Sequence, residues 1–309
     1  MIFNLQIMKK FSSLPGKNED EKRFAQLLEQ RGKFFNDTYL DGEGKTRHSS
    51  FKQFAQAAHK PGDLVDTQTS YVLPLVLGIP SNHNKAKVAA NLAATVTRTN
   101  KADNGTITPP HSLMTGFIGT AWISKALSDS GHVDAAYRLL LQTNYPSWLY
   151  PVEQGATTVW ERLNSYTHTD GFGGNNSMNS FNHYAFGAVG AWMYSHSLGI
   201  ERDEETPAFK RFRLKPEPDP TGKLSYAKGY YDSMYGRIES AWKKNAAGTT
   251  YEFSVPANTS ATVYIAAASR KDVRYRAGKR KAGHIEFLRM ENGKAVFAVE
   301  SGKYSLSTP

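Results

Sequence analysis

Residues 157–164, TTVWERLN, place one carboxylate, Glu161, directly after an aromatic, Trp160; a Gly- and Asn-rich stretch (DGFGGNNSMNS, 170–180) then leads to His183 in SFNHY. A carboxylate flanked by Val159 and Trp160, turned into a cavity, gains basicity by partial desolvation and can take a proton from water. Glu161 with Arg162 equally suits the first turn of a helix, where the dipole favours a carboxylate. The residues alone leave both readings open. His183 is open in the same way: it can bond hydroxyls or orient Glu161, or it can be a capped or core histidine near a helix start.

The chemistry such a pair would serve is suggested by the aromatics, which are 12% of the chain. Trp148, Trp160, Tyr166 and Tyr184 fall in predicted loops or helix starts, and aromatic faces there can stack on the C–H faces of a sugar ring. Other reaction classes lack their residues. There is no cysteine, hence no thiol nucleophile or thiolate metal site. No His, Asp and Glu share zincin spacing, and there is no P-loop and no G-x-S-x-G elbow. No metal and no cofactor are expected.

These residues are carried by a chain that changes register part-way along. From Asn18 the pattern is helical: Asn18 and Glu21 have capping-box spacing, and Phe24, Leu27, Leu28, Phe34 and Phe35 return on one face. Further helices are predicted in TSYVLPLVLGI, NKAKVAANLAATVTR, GFIGTAWISKALSDSG, VDAAYRLLLQTN and SFNHYAFGAVGAWMYSHSLGI. Prolines at 207, 216, 218 and 220 break this pattern, and alternating strands follow, with Asn292-Gly293 as a hairpin signal. The prediction is a mainly α protein with a C-terminal β domain: a helical domain over 1–205 and a β-sandwich over 206–309.

At 309 residues, 39% hydrophobic and 21% charged, the composition is that of a globular protein with a sizeable core. The net charge of +10 is local: from Glu201 onward 20 Lys and Arg face 13 Asp and Glu. Its densest run, residues 270–284, matches no nucleic-acid signature and reads as charged strand edges and turns, so no nucleic-acid partner is expected. No apolar stretch is long enough for a membrane span. The opening MIFNLQIMKKF has its apolar residues before its lysines, the reverse of a secretory signal. The compartment is left open.

The run from TGFIGTAWISKALSDSGHVDAAYRLLLQTNYPSWLYPVEQGATTVWERLNSYTHTDGF through MNSFNHYAFGAVGAWMY resembles glycoside hydrolase family 78, the α-L-rhamnosidases, and the likeness extends over residues 18–268. It implies an (α/α)6 toroid followed by a β-sandwich, and inverting hydrolysis of a terminal α-L-rhamnosyl residue. Glu161 matches the family's T-T-x-W-E glutamate, which implies the general base. Asn182 and His183 match N-H-Y, which implies contact with the sugar, and Trp148 and Trp160 are the aromatics expected beside it. Full-length members of the family are often exported or periplasmic.

Two departures accompany the resemblance. The family's general acid lies in an upstream D-x-P-x-R-x-E-R loop that this chain lacks, so the toroid is expected to be incomplete. Ala191 stands where the family's GAVGEW commonly has Glu. Asp63 and Asp66 are the local carboxylates that could substitute for the acid, and both are expected to be structural. A rhamnose binder that does not cleave is the alternative function. An opened barrel would expose apolar helix faces, so self-association or a missing N-terminal half is the expected partner.

Overall fold

The computed structural model describes residues 1–14, 16–49, 60–101, 105–173, 177–277 and 284–309. The chain divides into two compact units, Met1–Ala188 and Val189–Pro309. The first is mainly helical and the second is mainly β.

The helical unit runs α1 (Ile2–Ser13), α2 (Asn18–Tyr39), α3 (Gln68–Val76), α4 (Asn82–Thr97), a short β1–β2 ribbon (Asn100–Lys101, Ile107–Thr108), α5 (Gly116–Thr120), α6 (Ile123–Asp129), α7 (Val133–Leu140) and α8 (Tyr150–Glu153). A 3-10 turn at Tyr184–Ala188 closes the unit. Side-chain caps start two of the helices that matter for the site. The Thr67 hydroxyl accepts from Ser70 N–H, with Ser70 Oγ accepting in return from Thr67 N–H, and Ser81 Oγ accepts from Asn84 N–H. The core lies among α3, α4, α6 and α7, where Tyr71, Val72, Val88, Leu92, Ile123, Leu127, Tyr137 and Leu139 are fully buried.

Helices α1 and α2 pack on each other yet bury little else: α2 has no buried residue in 22, and α1 only Ser12. Phe3 and Phe11 are 52% and 60% exposed. The expected capping box at Asn18 is absent; Lys17 is the cap residue and makes no side-chain cap bond, because Asn18 already lies within the helix. The periodicity of α2 is present, but α1 is the main element packed against it among the described residues, and that contact leaves no residue of α2 fully buried. Arg47, which donates to Asp37 O, Thr38 O and Tyr39 O, and a set of amide contacts tie this hairpin to the rest; Asn84 Nδ2 donates to Asn36 Oδ1 at 3.0 Å. Gln6 Nε2 donates to Leu77 O at 2.8 Å, Asn36 Nδ2 to Ile79 O at 3.1 Å, and Ser81 N to Asn36 Oδ1 at 2.9 Å.

The second unit begins with α9 (Val189–Trp192) and a π turn at Met193–Ser197. Its strands are β3 (Ile200–Arg202), β4 (Arg211–Leu214), β5 (Tyr226–Ser233), β6 (Gly236–Asn245), β7 (Gly248–Val255), β8 (Ser260–Ala266), β9 (Arg274–Ala277), β10 (Ile285–Glu291), β11 (Lys294–Val299) and β12 (Gly302–Thr308). They form two five-stranded sheets, ordered β10-β11-β8-β4-β3 and β5-β6-β7-β12-β9. Strands β7 and β8 alternate buried and less buried residues, as a sheet with one face on a core requires. Phe212, Leu214, Ile238, Trp242, Phe253, Val263, Ile265, Phe297 and Leu306 fill the sandwich.

Strand β3 pairs with β4, so the β-sandwich takes in residues upstream of the expected 205/206 junction, and the division itself falls at Ala188/Val189. The reason is local. Trp242 Nε1 donates to Ser197 O at 2.9 Å and Ser240 Oγ to Leu198 O at 2.5 Å, which binds residues 197–198 to β6. Gly199, at φ +70°, lies so close to the Lys215–Pro216 backbone that an added Cβ would sit 2.1 Å from it. Asn292 and Gly293 turn the β10–β11 hairpin with φ of 48° and 72°, and Glu291 pairs with Lys294, as the Asn-Gly signal predicts. Part of the basic run, residues 278–283, lies outside the described residues.

Candidate active site

A cavity of about 630 Å³ opens within the helical unit, and Glu161 lines it. Glu161 is in neither a helix nor a strand; it is held by an exchange between residues 158–161 and residues 180–183. Glu161 N–H donates to Ser180 O at 2.8 Å and Ser180 N–H to Glu161 Oε2 at 2.8 Å. His183 N–H donates to Val159 O at 2.8 Å, and Thr158 Oγ1 donates to Phe181 O. The half-buried carboxylate thus has one oxygen engaged by a backbone N–H, which fixes its direction. The helix-first-turn alternative does not describe Glu161. Of the Gly- and Asn-rich stretch between the two segments, residues 174–176 lie outside the described residues.

The exchange also sets where His183 goes. Its ring stacks on Phe117, centroids 4.8 Å apart and planes 24° apart, and Phe117 meets Phe186 edge-on at 5.5 Å. Phe117 and Phe186 both line the cavity; His183 touches it through Phe117 and is not itself a lining residue. Its Nδ1 accepts from Ala185 N–H at 3.4 Å, leaving Nε2 to carry the proton in the neutral ring.

The other sequence candidates are placed around this wall rather than in it. Trp160 is 6% exposed and meets Phe181 edge-on at 5.2 Å. Trp148, half-buried, donates its indole N–H to Phe186 O at 2.9 Å and so supports that ring's backbone. Asn182 is exposed, and its N–H donates to Ser180 Oγ. Tyr184 is exposed, and Tyr166 packs edge-on against Phe172.

Across the lining, the structure gives Asp66, the sequence's local candidate for a substitute acid, partners that the sequence did not show. Asp66, at φ 43°, accepts from Tyr71 Oη at 2.5 Å on Oδ1 and from Arg98 Nη1 at 2.8 Å on Oδ2, while Arg98 Nη2 donates to Asp66 O at 3.0 Å. Burial pushes the Asp66 carboxyl up, but Tyr71, Arg98 and Lys45 together outweigh it and hold the pKa below the ordinary aspartate value. Burial first, then the hydrogen bond to Asp66 and its charge, drive the Tyr71 phenol well above its usual range. Asp66 is therefore an anion with both oxygens taken, unsuited to giving a proton to a leaving group. Asp63 does not line the cavity; its Oδ2 accepts from Lys60 N–H in a turn.

Deeper contacts position the lining. Buried Gln68 donates to Ser112 O at 2.9 Å and accepts from Met114 N–H at 2.8 Å, which fixes the segment before α5. Thr69 Oγ1 donates to Thr115 O at 2.6 Å, and a Cβ on Gly119 would lie 2.4 Å from that hydroxyl, so α5 sits on α3 only because residue 119 has no side chain. Tyr145, at the cavity rim, has its phenol raised by burial and by Tyr150, with Arg162 opposing. Among the described residues, no three His, Cys, Asp or Glu side chains gather as a metal site, and no helix is long and apolar enough to cross a membrane.

Comparison with known proteins follows the same division. Residues 1–197 match the bacterial alpha-L-rhamnosidase 6 hairpin glycosidase domain, and residues 199–280 the bacterial alpha-L-rhamnosidase C-terminal domain. An alpha-L-rhamnosidase of Streptomyces avermitilis is 32% identical over 286 residues, 93% of this chain and 24% of that protein. One of Formosa agariphila is 31% identical over 301 residues, 96% of this chain and 29% of that protein. The crystal structure of the Streptomyces avermitilis alpha-L-rhamnosidase complexed with L-rhamnose superimposes with a TM-score of 0.79 at 31% identity, covering 100% of this chain and 26% of that one. The chain therefore spans about a quarter of the length of the relatives it matches. Its helices are part of a six-hairpin glycosidase fold, its strands are that family's C-terminal β domain, and the chain belongs to the bacterial alpha-L-rhamnosidases.

Proposed function

We propose that the cavity beside Glu161 receives a terminal α-L-rhamnosyl residue and that Glu161 is the general base of its inverting hydrolysis. Glu161 takes a proton from a water held on the face of the sugar opposite the leaving oxygen, and that water attacks the anomeric carbon. The observation that carries this reading is the Ser180–Glu161 exchange, which directs one half-buried carboxylate into a sugar-sized cavity walled by Phe117 and Phe186. His183, fixed through its backbone to Val159 and through its ring to Phe117, orients that wall.

Inverting hydrolysis also needs a carboxylic acid to protonate the departing oxygen. Among the described residues the carboxylates lining the cavity are Asp66 and Glu161, and Asp66 is held ionised by Tyr71 and Arg98. In this reading the acid comes from polypeptide outside residues 1–309, matching the quarter-length coverage of the relatives. The same observation favours a second reading, a rhamnose-binding chain that does not cleave. Calorimetric titration with L-rhamnose, run beside hydrolysis of an aryl α-L-rhamnoside with an activated leaving group and of a natural rhamnoside, separates the two. Hydrolysis of the activated aryl glycoside that Glu161→Gln abolishes supports the base assignment. Binding heat with no product from either glycoside establishes the binder instead, and the absence of both heat and product rejects the cavity as a rhamnose site.

A further inference from the structure

The sandwich unit has a hollow of its own. It measures about 520 Å³ and lies between the start of β4, the β7–β8 connection and the β11–β12 turn. Lys210 and Arg211 enter it from the first, Asn258 and Ser260 from the second, and Glu300 and Ser301 from the third; among the described residues no apolar side chain lines it. The sheet fixes its geometry. Arg211 and Ser260 are register partners where β4 runs parallel to β8, and Ser260 N–H donates to Lys210 O at 3.3 Å.

Charge and donor chemistry define what would fit. Arg211 gives its Nε–H to Thr206 Oγ1 at 2.9 Å, which orients the guanidinium and leaves its terminal amino groups for a ligand. Lys210 Nζ donates to Asn258 O and lies 5.2 Å from the centre of the Tyr235 ring, so the hollow is bordered by an aromatic through that cation. Two cations face one carboxylate. A planar, oriented guanidinium matches a carboxylate in a two-pronged bond. The surrounding hydroxyls and amide match a ring carrying several hydroxyls, which a bare inorganic anion would leave unused.

The backbone marks the same place. Ala208, Phe209 and Asn258 adopt φ of 59°, 63° and 60°, a conformation that side chains with a Cβ rarely take and that is a true outlier for one as bulky as Phe209. Asn258 lines the hollow and is a residue type that takes this conformation readily; Ala208 and Phe209 lead directly into Lys210, and it is there that a shape is maintained against local preference, as at ligand clamps.

We propose that this hollow is a second, non-catalytic carbohydrate site, selective for a sugar ring that bears a carboxylate. It operates independently of cleavage at Glu161. Amide NMR of the isotopically labelled protein, titrated at constant ionic strength with sodium D-glucuronate, L-rhamnose or sodium acetate, tests it. Glucuronate should shift the amides of residues 206–211, 258–260 and 300–301 saturably, with rhamnose and acetate at least tenfold weaker. Arg211→Ala should weaken glucuronate at least tenfold, and Arg211→Lys, which keeps the charge and loses the fork, several-fold. Arg211 is exposed, so both variants should retain the parent spectrum elsewhere; if the alanine variant does not, the lysine variant alone decides. Equal shifts with acetate, equal shifts with rhamnose, shifts confined to the helical unit, no saturable shift, or unchanged affinity in Arg211→Lys would each overturn the proposal.

Discussion

Ser180 N–H donates to one carboxylate oxygen of Glu161, while Glu161 N–H donates back to Ser180 O, each at 2.8 Å. The two residues are 19 positions apart, and this closed pair aims a side chain whose backbone belongs to no regular element. Replacing Glu161 by Gln keeps an amide oxygen for Ser180 N–H and removes only the basicity. We expect E161Q to fold as the parent does, by circular dichroism, and to lower hydrolysis of an activated aryl α-L-rhamnoside by about 10²- to 10⁴-fold wherever the parent shows it. Undiminished turnover would reject Glu161 as the base.

Asp66→Asn tests the ion pair on the opposite part of the lining. Arg98 is partly exposed, so solvent screening discounts the pair, and a loss of about 1 kcal/mol is expected at neutral pH. The sign of the pH dependence follows from the depressed Asp66 pKa. Its contribution is fully present above the ordinary aspartate value of 3.8 and is lost as pH falls through the lower, folded value. Urea titrations of parent and variant should therefore differ at pH 7 and begin to converge only as pH falls below about 4. A difference that persists unchanged to pH 2 would remove the charge from the explanation.

Gly119→Ala introduces a Cβ at 2.4 Å from Thr69 Oγ1 and 2.9 Å from Thr115 Cβ. It should lower Tm and disturb α5, which carries Phe117. Pairing it with Thr69→Ala should recover part of the loss, because the two side chains compete for one space. Strict additivity of the two single changes would contradict that contact.

In the sandwich, Gly199→Ala combines a left-handed backbone with a Cβ 2.1 Å from the Lys215–Pro216 peptide. A loss above about 2 kcal/mol is expected from strain and overlap together. Denaturant unfolding measures it, and a loss below half that figure would mean that residues 215–216 move aside freely.

Phe3 and Phe11, large and exposed on α1, should make the chain associate as its concentration rises, and Phe3→Ser with Phe11→Ser should reduce this in light scattering. A parent that stays monomeric at high concentration would show that this face is tolerated in water.

What could be read from the sequence was what depends on neighbours in the chain. Asn292-Gly293 specified its hairpin because both φ values are intrinsic to those residue types, and the alternation in β7 and β8 follows from period two. The helix expected over 180–200 became 3-10, α and π turns in succession, with Gly187 and Gly190 weakening a regular helix there. Helix α1 was not foreseen because residues 1–17 carry no cap or clear apolar stripe. At the site, Glu161 and His183 stood out because their local motifs are dense. The Asp66–Arg98 pair did not, since its members are 32 residues apart and meet only through the packing of α3 and α4. The aromatic clustering of Trp148 and Trp160 was visible, but whether an indole faces a cavity or supports its wall depends on the partner of its N–H, here Phe186 O for Trp148.

The sparse anchoring of α1 and α2 has a kinetic consequence. A helical hairpin held by polar contacts at Gln6, Asn36 and the Arg47 end of α2, with no residue of α2 in the core, can detach while α3, α4, α6 and α7 stay packed, as a separate low-energy opening event. Its backbone amides should exchange with deuterium far sooner than those of α4, and limited proteolysis should cut first within Ile2–Tyr39, releasing that segment from an otherwise intact molecule.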